Sequence, residues 1–300
     1  MPMQITRKVK TALFHPLSTL YFLRGRLNSR GLFRRYGQLS RRSGIREIWL
    51  ILSFDCDTAE DIAKVWDVHS RLVDLGVAPV YAVPGELLQQ GESVYLRILE
   101  SGGEFLNHGY TQHTFFDAGK GRYASCFFYD QLPEATVRKD IVRGDRCLKD
   151  VLGVRVRGFR TPHFGSFQSS GQLRFLHSVL QELDYRFSSS TSPLYGFRFG
   201  PVFTKFGVNE LPVTGMASTP LRILDTWSCF QAPRRVLTPQ DYHSEGSAIA
   251  EIYSELGVGL LNLYGDPSHI HDNELFFDTV KRWLSVSTSV NFETFLESSR

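Results

Sequence analysis

The sequence predicts an α/β protein, a (β/α) barrel of about seven parallel strands carrying a basic amino-terminal extension. Three observations support this. From Glu47 onward short apolar runs alternate with segments of 3.6-residue periodicity. No composition break divides that stretch, so one domain fits it better than two. Its 254 residues also agree with a single barrel, which runs to about 250 residues.

The charge shows where the barrel begins. Residues 1–46 hold 11 Lys and Arg and no Asp or Glu, while the rest holds 23 basic against 31 acidic residues, a formal −8 hidden beneath a chain total of +3. The expected division is therefore a basic extension, 1–46, and an acidic barrel domain, 47–300. Two readings of the extension stay open: a solvated tail, or a segment lying on an anionic membrane surface. For the second, Leu13, Leu17 and Leu20 recur at i, i+4 and i+7 beside Phe14 and Tyr21, Arg24, Arg26 and Arg30 follow, and Pro16 falls near the first turn. Nucleic acid is not an expected partner, because the basic residues are confined to one end of an otherwise acidic chain.

Thr11–Leu23 is interrupted by His15, Pro16, Ser18 and Thr19 and lacks an evident small-residue cleavage site, which reads against a cleaved signal peptide. No apolar run approaches the roughly 20 residues that span a bilayer. Cys56, Cys126, Cys147 and Cys229 are widely spaced without a CxxC pair, as in a reducing compartment. The expected location is cytoplasmic, peripheral at the inner membrane surface.

Along the body, Glu47–Phe54 reads as a buried strand bounded by Asp55. The next helix follows from Ile62, Val65, Trp66, His69, Leu72 and Val73, with Thr58 as N-cap, Asp61 three residues on and Gly76 as stop. Val77–Val83 gives a second strand, Leu87–Glu100 a broken helix and Glu104–His108 a third strand. A polar, aromatic insertion around Phe115–Asp130 precedes a helix at Glu134–Val151 and a strand at Arg155–Arg160. Gly171–Leu183 and Tyr185–Ser190 repeat that order. The Gly/Pro/Phe-rich stretch Pro193–Pro220 breaks it, with a short hairpin expected around Val208–Val213. A helix near Asp241–Leu256, a strand at Val258–Tyr264 and a helix near Asn273–Ser285 complete the chain.

In a parallel barrel the carboxyl ends of the strands share one face, and reactive side chains gather there. Here those ends carry Asp55-Cys56-Asp57, His108, Arg160 and Asp266. Asp55 and Asp57 are two residues apart and can face one side while Cys56 faces the other. Adjacent carboxylates repel unless a cation separates them, so one is expected to bind metal and the other to remain a free base; the alternative is that they cap the following helix. Asn107-His108-Gly109-Tyr110-Thr111-Gln112-His113 holds two imidazoles, and oxygen plus nitrogen ligands with an open position suit catalytic zinc. In Gly158-Phe159-Arg160-Thr161-Pro162-His163-Phe164-Gly165 the arginine either orients a neighbouring carboxylate or forms an ordinary salt bridge.

Together these groups resemble the polysaccharide deacetylases, the NodB-like carbohydrate esterase family 4. Phe54-Asp55-Cys56-Asp57 is similar to that family's Phe-Asp-x-Asp, His108-Gly109-Tyr110-Thr111 to its His-Gly-Tyr-Thr-His, and Arg160-Thr161-Pro162 with Gly165 to its Arg-x-Pro motif followed by Gly. The resemblance covers roughly residues 47–270. It implies an irregular NodB-like barrel, with Asp55 as general base, Asp57 and His108 as ligands of a divalent metal, zinc by expectation, and Arg160 orienting Asp55. It further implies Trp227 as a hydrophobic wall beside the base, with Tyr110 and Pro162 on the substrate side. The implied activity is N-deacetylation of an acetylated amino sugar in a glycan or its lipid-linked precursor. The other readings are a metal-independent hydrolase of a small cyclic amide, as in the allantoinase-like branch, and an inactive glycan-binding relative.

Two departures bear on activity. Gln112 stands where the family has its second metal histidine, and His113 follows one position later. On a helix an i+5 spacing turns a side chain about 140° away, so His113 serves as a ligand only if the backbone is irregular. The family's acid histidine, just before a proline, is replaced by Asp266 before Pro267. His269 is the nearest substitute, with His271 and His163 as further candidates.

Overall fold

The structure is a computed structural model that describes residues 16–230 and 237–299. In chain order its strands are β1 (Ile48–Asp55), β2 (Val80–Val83), β3 (Glu104–Asn107), β4 (Thr114–Asp117), β5 (Arg122–Ser125), β6 (Gly158–Phe159), β7 (Phe187–Ser188), β8 (Asn209–Glu210), β9 (Gly259–Gly265) and β10 (Thr288–Ser289). β1 is buried along nearly its whole length, as an almost wholly apolar strand covered on both faces must be. One of its edges pairs with β9 from Ile48–Gly259 through Phe54–Gly265. The other is shared, with β10 taking Trp49 and Leu50 and β2 taking Ser53 to Asp55. From β2 the sheet continues through β3, β6, β7 and β8, every pair parallel.

The gap between the segment after β8 and β9 is closed by single residues. The Thr214 amide donates to the Asn262 carbonyl at 2.8 Å, and the Asn262 amide donates to Thr214 Oγ1 at 2.9 Å. The buried Asn262 side chain also donates to Ser189 Oγ and to the Leu211 carbonyl. The curl is the expected irregular (β/α) barrel, and it brings the carboxyl ends of β1, β3, β6 and β9 to one rim.

The expected helices form. Thr58 and Asp61 build a reciprocal capping box at the start of the Ala59–Asp74 helix. The broken helix is Gly85–Gln90 and Glu92–Glu100, divided at Gly91, where a Cβ would lie 2.8 Å from Ile62 and Tyr95 carbon atoms. Other segments differ from expectation. β6 and β7 are two-residue strands within the longer runs foreseen, and β7 stops because the amides of Ser190 and Thr191 donate to the Glu210 carboxylate instead of a ladder. The hairpin expected around 208–213 is reduced to one antiparallel bridge between Glu210 and Phe203, while Asn209 and Glu210 join the main sheet parallel to β7, after a helix at Pro193–Phe199. The aromatic insertion is an antiparallel hairpin of β4 and β5, paired from Thr114–Ser125 to Asp117–Arg122.

Ahead of β1 lie two helices, Pro16–Leu27 and Ser29–Arg42, joined at Asn28, whose side chain accepts the Gly31 amide at 2.7 Å. Leu32, Phe33 and Tyr36 are buried. Phe33 and Tyr36 meet Phe197 and Tyr253 ring to ring, and the Tyr36 hydroxyl donates to the Leu260 carbonyl at 2.9 Å. A solvated tail therefore does not describe residues 29–42; Leu13 and Phe14 fall outside the described residues. Among the described residues no helix is long and apolar enough to cross a membrane.

Candidate active site

β1 delivers both aspartates to the rim. Asp55, its last residue, receives the Arg160 guanidinium at 2.7 Å, and that guanidinium also donates to Ser53 Oγ at 2.8 Å. Both partners are buried, so the ion pair is fixed rather than solvated. Burial raises the Asp55 carboxyl from its ordinary value, against the lowering pull of Arg160 and His108. Cys56 faces the core, where burial pushes its thiol up, and it takes no part in the site. Asp57 is held from behind: its amide donates to Asp61 Oδ2 at 3.1 Å, and its carbonyl accepts the Thr114 hydroxyl.

The loop after β3 decides which way His113 faces. Residues 108–113 are irregular, and Gly109 has φ +79°, where a Cβ would lie 2.3 Å from Asp140 Oδ2. Asp140, on the Glu134–Leu152 helix, accepts the amides of Tyr110 and Thr111 and the hydroxyls of Thr111 and Tyr129. The turn so fixed swings His113 back beside His108, with ring centroids 4.6 Å apart. His113 Nε2 lies 2.9 Å and His108 Nε2 3.5 Å from Asp57 Oδ1. Gln112 instead donates its amide to Glu86 and extends its side chain toward the Asp57 carbonyl at 3.5 Å.

These three side chains fit a divalent cation. Asp57 Oδ1, His108 Nε2 and His113 Nε2 are buried without a properly aligned hydrogen bond, although their ligand atoms all lie within 4.8 Å of one another. Buried polar atoms are rarely left this way. His108 Nδ1 sits 2.8 Å from the Arg160 carbonyl; a carbonyl only accepts, so Nδ1 carries hydrogen and the neutral ring presents its Nε2 lone pair to the site. Burial disfavours charge on His108, yet Asp57 and Asp55 outweigh it and raise its affinity for a proton. For Asp57, burial opposes ionisation, and the two histidines reverse this and hold the carboxyl well below its usual range. A proton shared this way answers the same need for positive charge that a metal would meet.

A cleft of about 250 Å³ opens onto Asp55 and Asp57, walled by Phe128, Phe164, Trp227 and Tyr264 among others. Trp227 lies there as expected, on a short helix at Thr226–Phe230. Tyr110 does not. Its ring packs against Gly85 with the Arg143 guanidinium 3.5 Å above it, and its hydroxyl donates to Gln89. The tight turn at Gly109 aims it inward. Pro162 is likewise buried and away from the cleft, whose surface is supplied by the next two residues, His163 and Phe164.

The acid candidates separate by environment. His271 sits beside exposed Asp272. His163 lines the cleft, but burial and neighbouring His113 push it down to about 4, and its Nε2 is committed to the Cys126 carbonyl at 2.7 Å. His269 sits edge to face with Trp227 at 5.5 Å, with Nδ1 3.2 Å from Asp266 Oδ2 and 3.2 Å from Thr226 Oγ1. Burial works against its charge, but Asp266 more than offsets this and raises its pKa. Asp266 thus occupies the cleft wall and holds His269 behind it. Asp140, Phe128 and Tyr264 carry no mark in the sequence, because each reaches the site from a distant, irregular or apolar segment.

Residues 47–186 match the family model described as polysaccharide deacetylase. Over that stretch, just under half of the chain, the protein carries a polysaccharide deacetylase domain of divergent kind, a domain of hydrolases acting on carbon–nitrogen bonds other than peptide bonds. A structure from Mycobacterium smegmatis assigned to the polysaccharide deacetylases is 17% identical, covers 86% of this chain and 91% of that one, and superposes with a TM-score of 0.62. One from Pseudomonas aeruginosa PAO1, assigned to the same group, gives 12% identity, 85% and 91% coverage, and 0.59. Puue allantoinase gives 12%, 83% and 89%, and 0.59. At these identities the likeness is one of fold. No curated protein matches the sequence.

Proposed function

We propose that this protein is a metal-dependent N-deacetylase of an acetylated amino sugar, in a glycan or a lipid-linked precursor. The observation that carries the reading is the set of three facing, unsatisfied ligand atoms on Asp57, His108 and His113 beside an Asp55 held by Arg160. Two imidazoles and one carboxylate favour zinc over oxygen-seeking magnesium or calcium. When bound, such an ion polarises an amide carbonyl and lowers the pKa of water.

The remaining work falls to the chain. Asp55, made a stronger base by burial, accepts the proton of the attacking water, and Arg160 keeps its carboxylate oriented. Trp227 and Tyr264 shield the reacting centre from solvent. His269, whose affinity for a proton Asp266 raises, stands behind that carboxyl and passes the proton that the departing amine needs through Asp266 on the cleft wall. The acid-free extension supports a location on the cytoplasmic face of an anionic membrane, and hence a lipid-linked substrate.

The test is acetate release from N-acetylglucosamine oligomers and lipid-linked amino sugars with added zinc or cobalt. Asp55→Asn is expected to abolish release, and normal turnover by that variant would defeat the mechanism. Metal analysis of protein purified without chelators separates this reading from a metal-independent cyclic-amide hydrolase; glycan binding with no release from either substrate would indicate an inactive relative.

A further inference from the structure

We infer that the Pro16–Leu27 helix is a docking surface for an anionic lipid bilayer, with a leucine stripe that faces directly away from the protein. The helix meets the rest of the chain through Tyr21, which joins the core, and Gly25, where a Cβ would lie 3.4 Å from Pro220. At about 100° per residue, Leu20, Leu23 and Leu27 share an arc of about 60°, and Leu23 lies about 180° from the midpoint of Tyr21 and Gly25. Those three leucines are 43%, 50% and 85% exposed, and Phe22, about 100° round the helix from Leu23 and beyond Arg26, is 44% exposed. An ordinary surface helix turns its apolar stripe inward. This one is apolar on two sides, with Tyr21 inward and the leucines outward.

The charges say what covers the stripe. Arg24 and Arg26 flank the leucines on opposite sides, and Arg34 follows on the next helix. None of the three forms an ion pair with a described carboxylate, and no acid occurs before Glu47. Leucines entering the acyl boundary, with guanidinium groups beside them at the level of the phosphates, fit the interfacial geometry of such helices. A second copy of the chain fits less well. It would set the same arginines against one another, and three leucines and a phenylalanine give far less than the roughly 800 Å² per partner of a stable interface.

This deepens the membrane placement proposed above and rests on that placement, not on the hydrolytic reading. Vesicle binding is measured without substrate, so the failure of one is distinguishable from the failure of the other. The full chain is sedimented with vesicles of phosphatidylcholine alone and of a roughly two-to-one mixture with phosphatidylglycerol. Binding to the mixed vesicles is expected, weakened at least about tenfold on neutral vesicles and in a Leu23→Ser, Leu27→Ser double variant. Both changed positions are exposed, so thermal melting of that variant should match the parent. Arg24→Gln with Arg26→Gln should remove most of the preference for anionic lipid. Absence of binding to either vesicle, full binding by the leucine variant, or a concentration-dependent dimer that the leucine changes abolish in place of vesicle binding would each overturn the assignment.

Discussion

His108 Nδ1 lies 2.8 Å from the main-chain carbonyl of Arg160, the residue whose guanidinium holds Asp55. One residue thus serves both halves of the site, its backbone fixing the tautomer of the proposed metal histidine and its side chain orienting the proposed base. Arg160→Met keeps the carbonyl and removes the guanidinium. Zinc affinity should stay within about threefold while acetate release falls at least about 100-fold. Unpairing the buried carboxylate should also cost about 3–5 kcal/mol of stability. Equal loss of zinc and turnover in a folded variant would contradict the separation.

His113, not Gln112, is the expected ligand. His113→Ala should weaken zinc binding at least about 100-fold, given that losing even an outer partner of a metal ligand costs about 10–100-fold. Gln112→Ala should change it less than about threefold. Asp140→Ala, which frees the Tyr110–Thr111 turn, should cost about tenfold without removing any ligand. Competition with a chromophoric chelator measures all three.

The difference between those residues also shows what the chain's order of amino acids can and cannot reveal. Asp55, Asp57, His108 and Arg160 could be expected together because each lies at or within two residues of a strand end and the barrel gathers strand ends. His113 was undecidable, since its placement depends on a turn held by Asp140 from another helix. Tyr110 was misplaced for the same reason: the positive φ at Gly109 reverses the side to which the next residue points. β10 gave no periodic signal because it is two residues long.

Glu104 gives a pH test away from the metal site. Burial, with Glu293 nearby, pushes its carboxyl up to about 8 from an unfolded value of 4.5. Between these values the folded state binds more protons than the unfolded, so its contribution to stability falls as pH rises from about 4.5 to 8. Glu104→Gln should flatten that slope and gain relative to the parent at the alkaline end, as read from urea midpoints at both ends. A slope unchanged in the variant would exclude Glu104 as its source.

The amino-terminal helices should matter to stability. Phe33 is 1% exposed and packs between Phe197 and Tyr253. Phe33→Ala should cost about 3–5 kcal/mol in urea unfolding. Removing residues 1–46 strips Leu32, Phe33 and Tyr36 together, and should lower the melting temperature further than that single change; a truncated protein as stable as the parent would show that these contacts add nothing.

The pairing of β1 with β9 joins residues more than 200 positions apart, and this sets an order on biosynthesis. Asp57, His108 and His113 have all been translated long before Gly259. Until β9 emerges, one whole edge of the longest strand is open, a template for pairing with other nascent chains. A chain interrupted before Gly259 would carry every metal ligand, Asp55 and Arg160, yet lack Tyr264 and Asp266 of the cleft wall. All three proposed ligands are therefore in the chain before its last strands, whereas a finished substrate chamber waits for them.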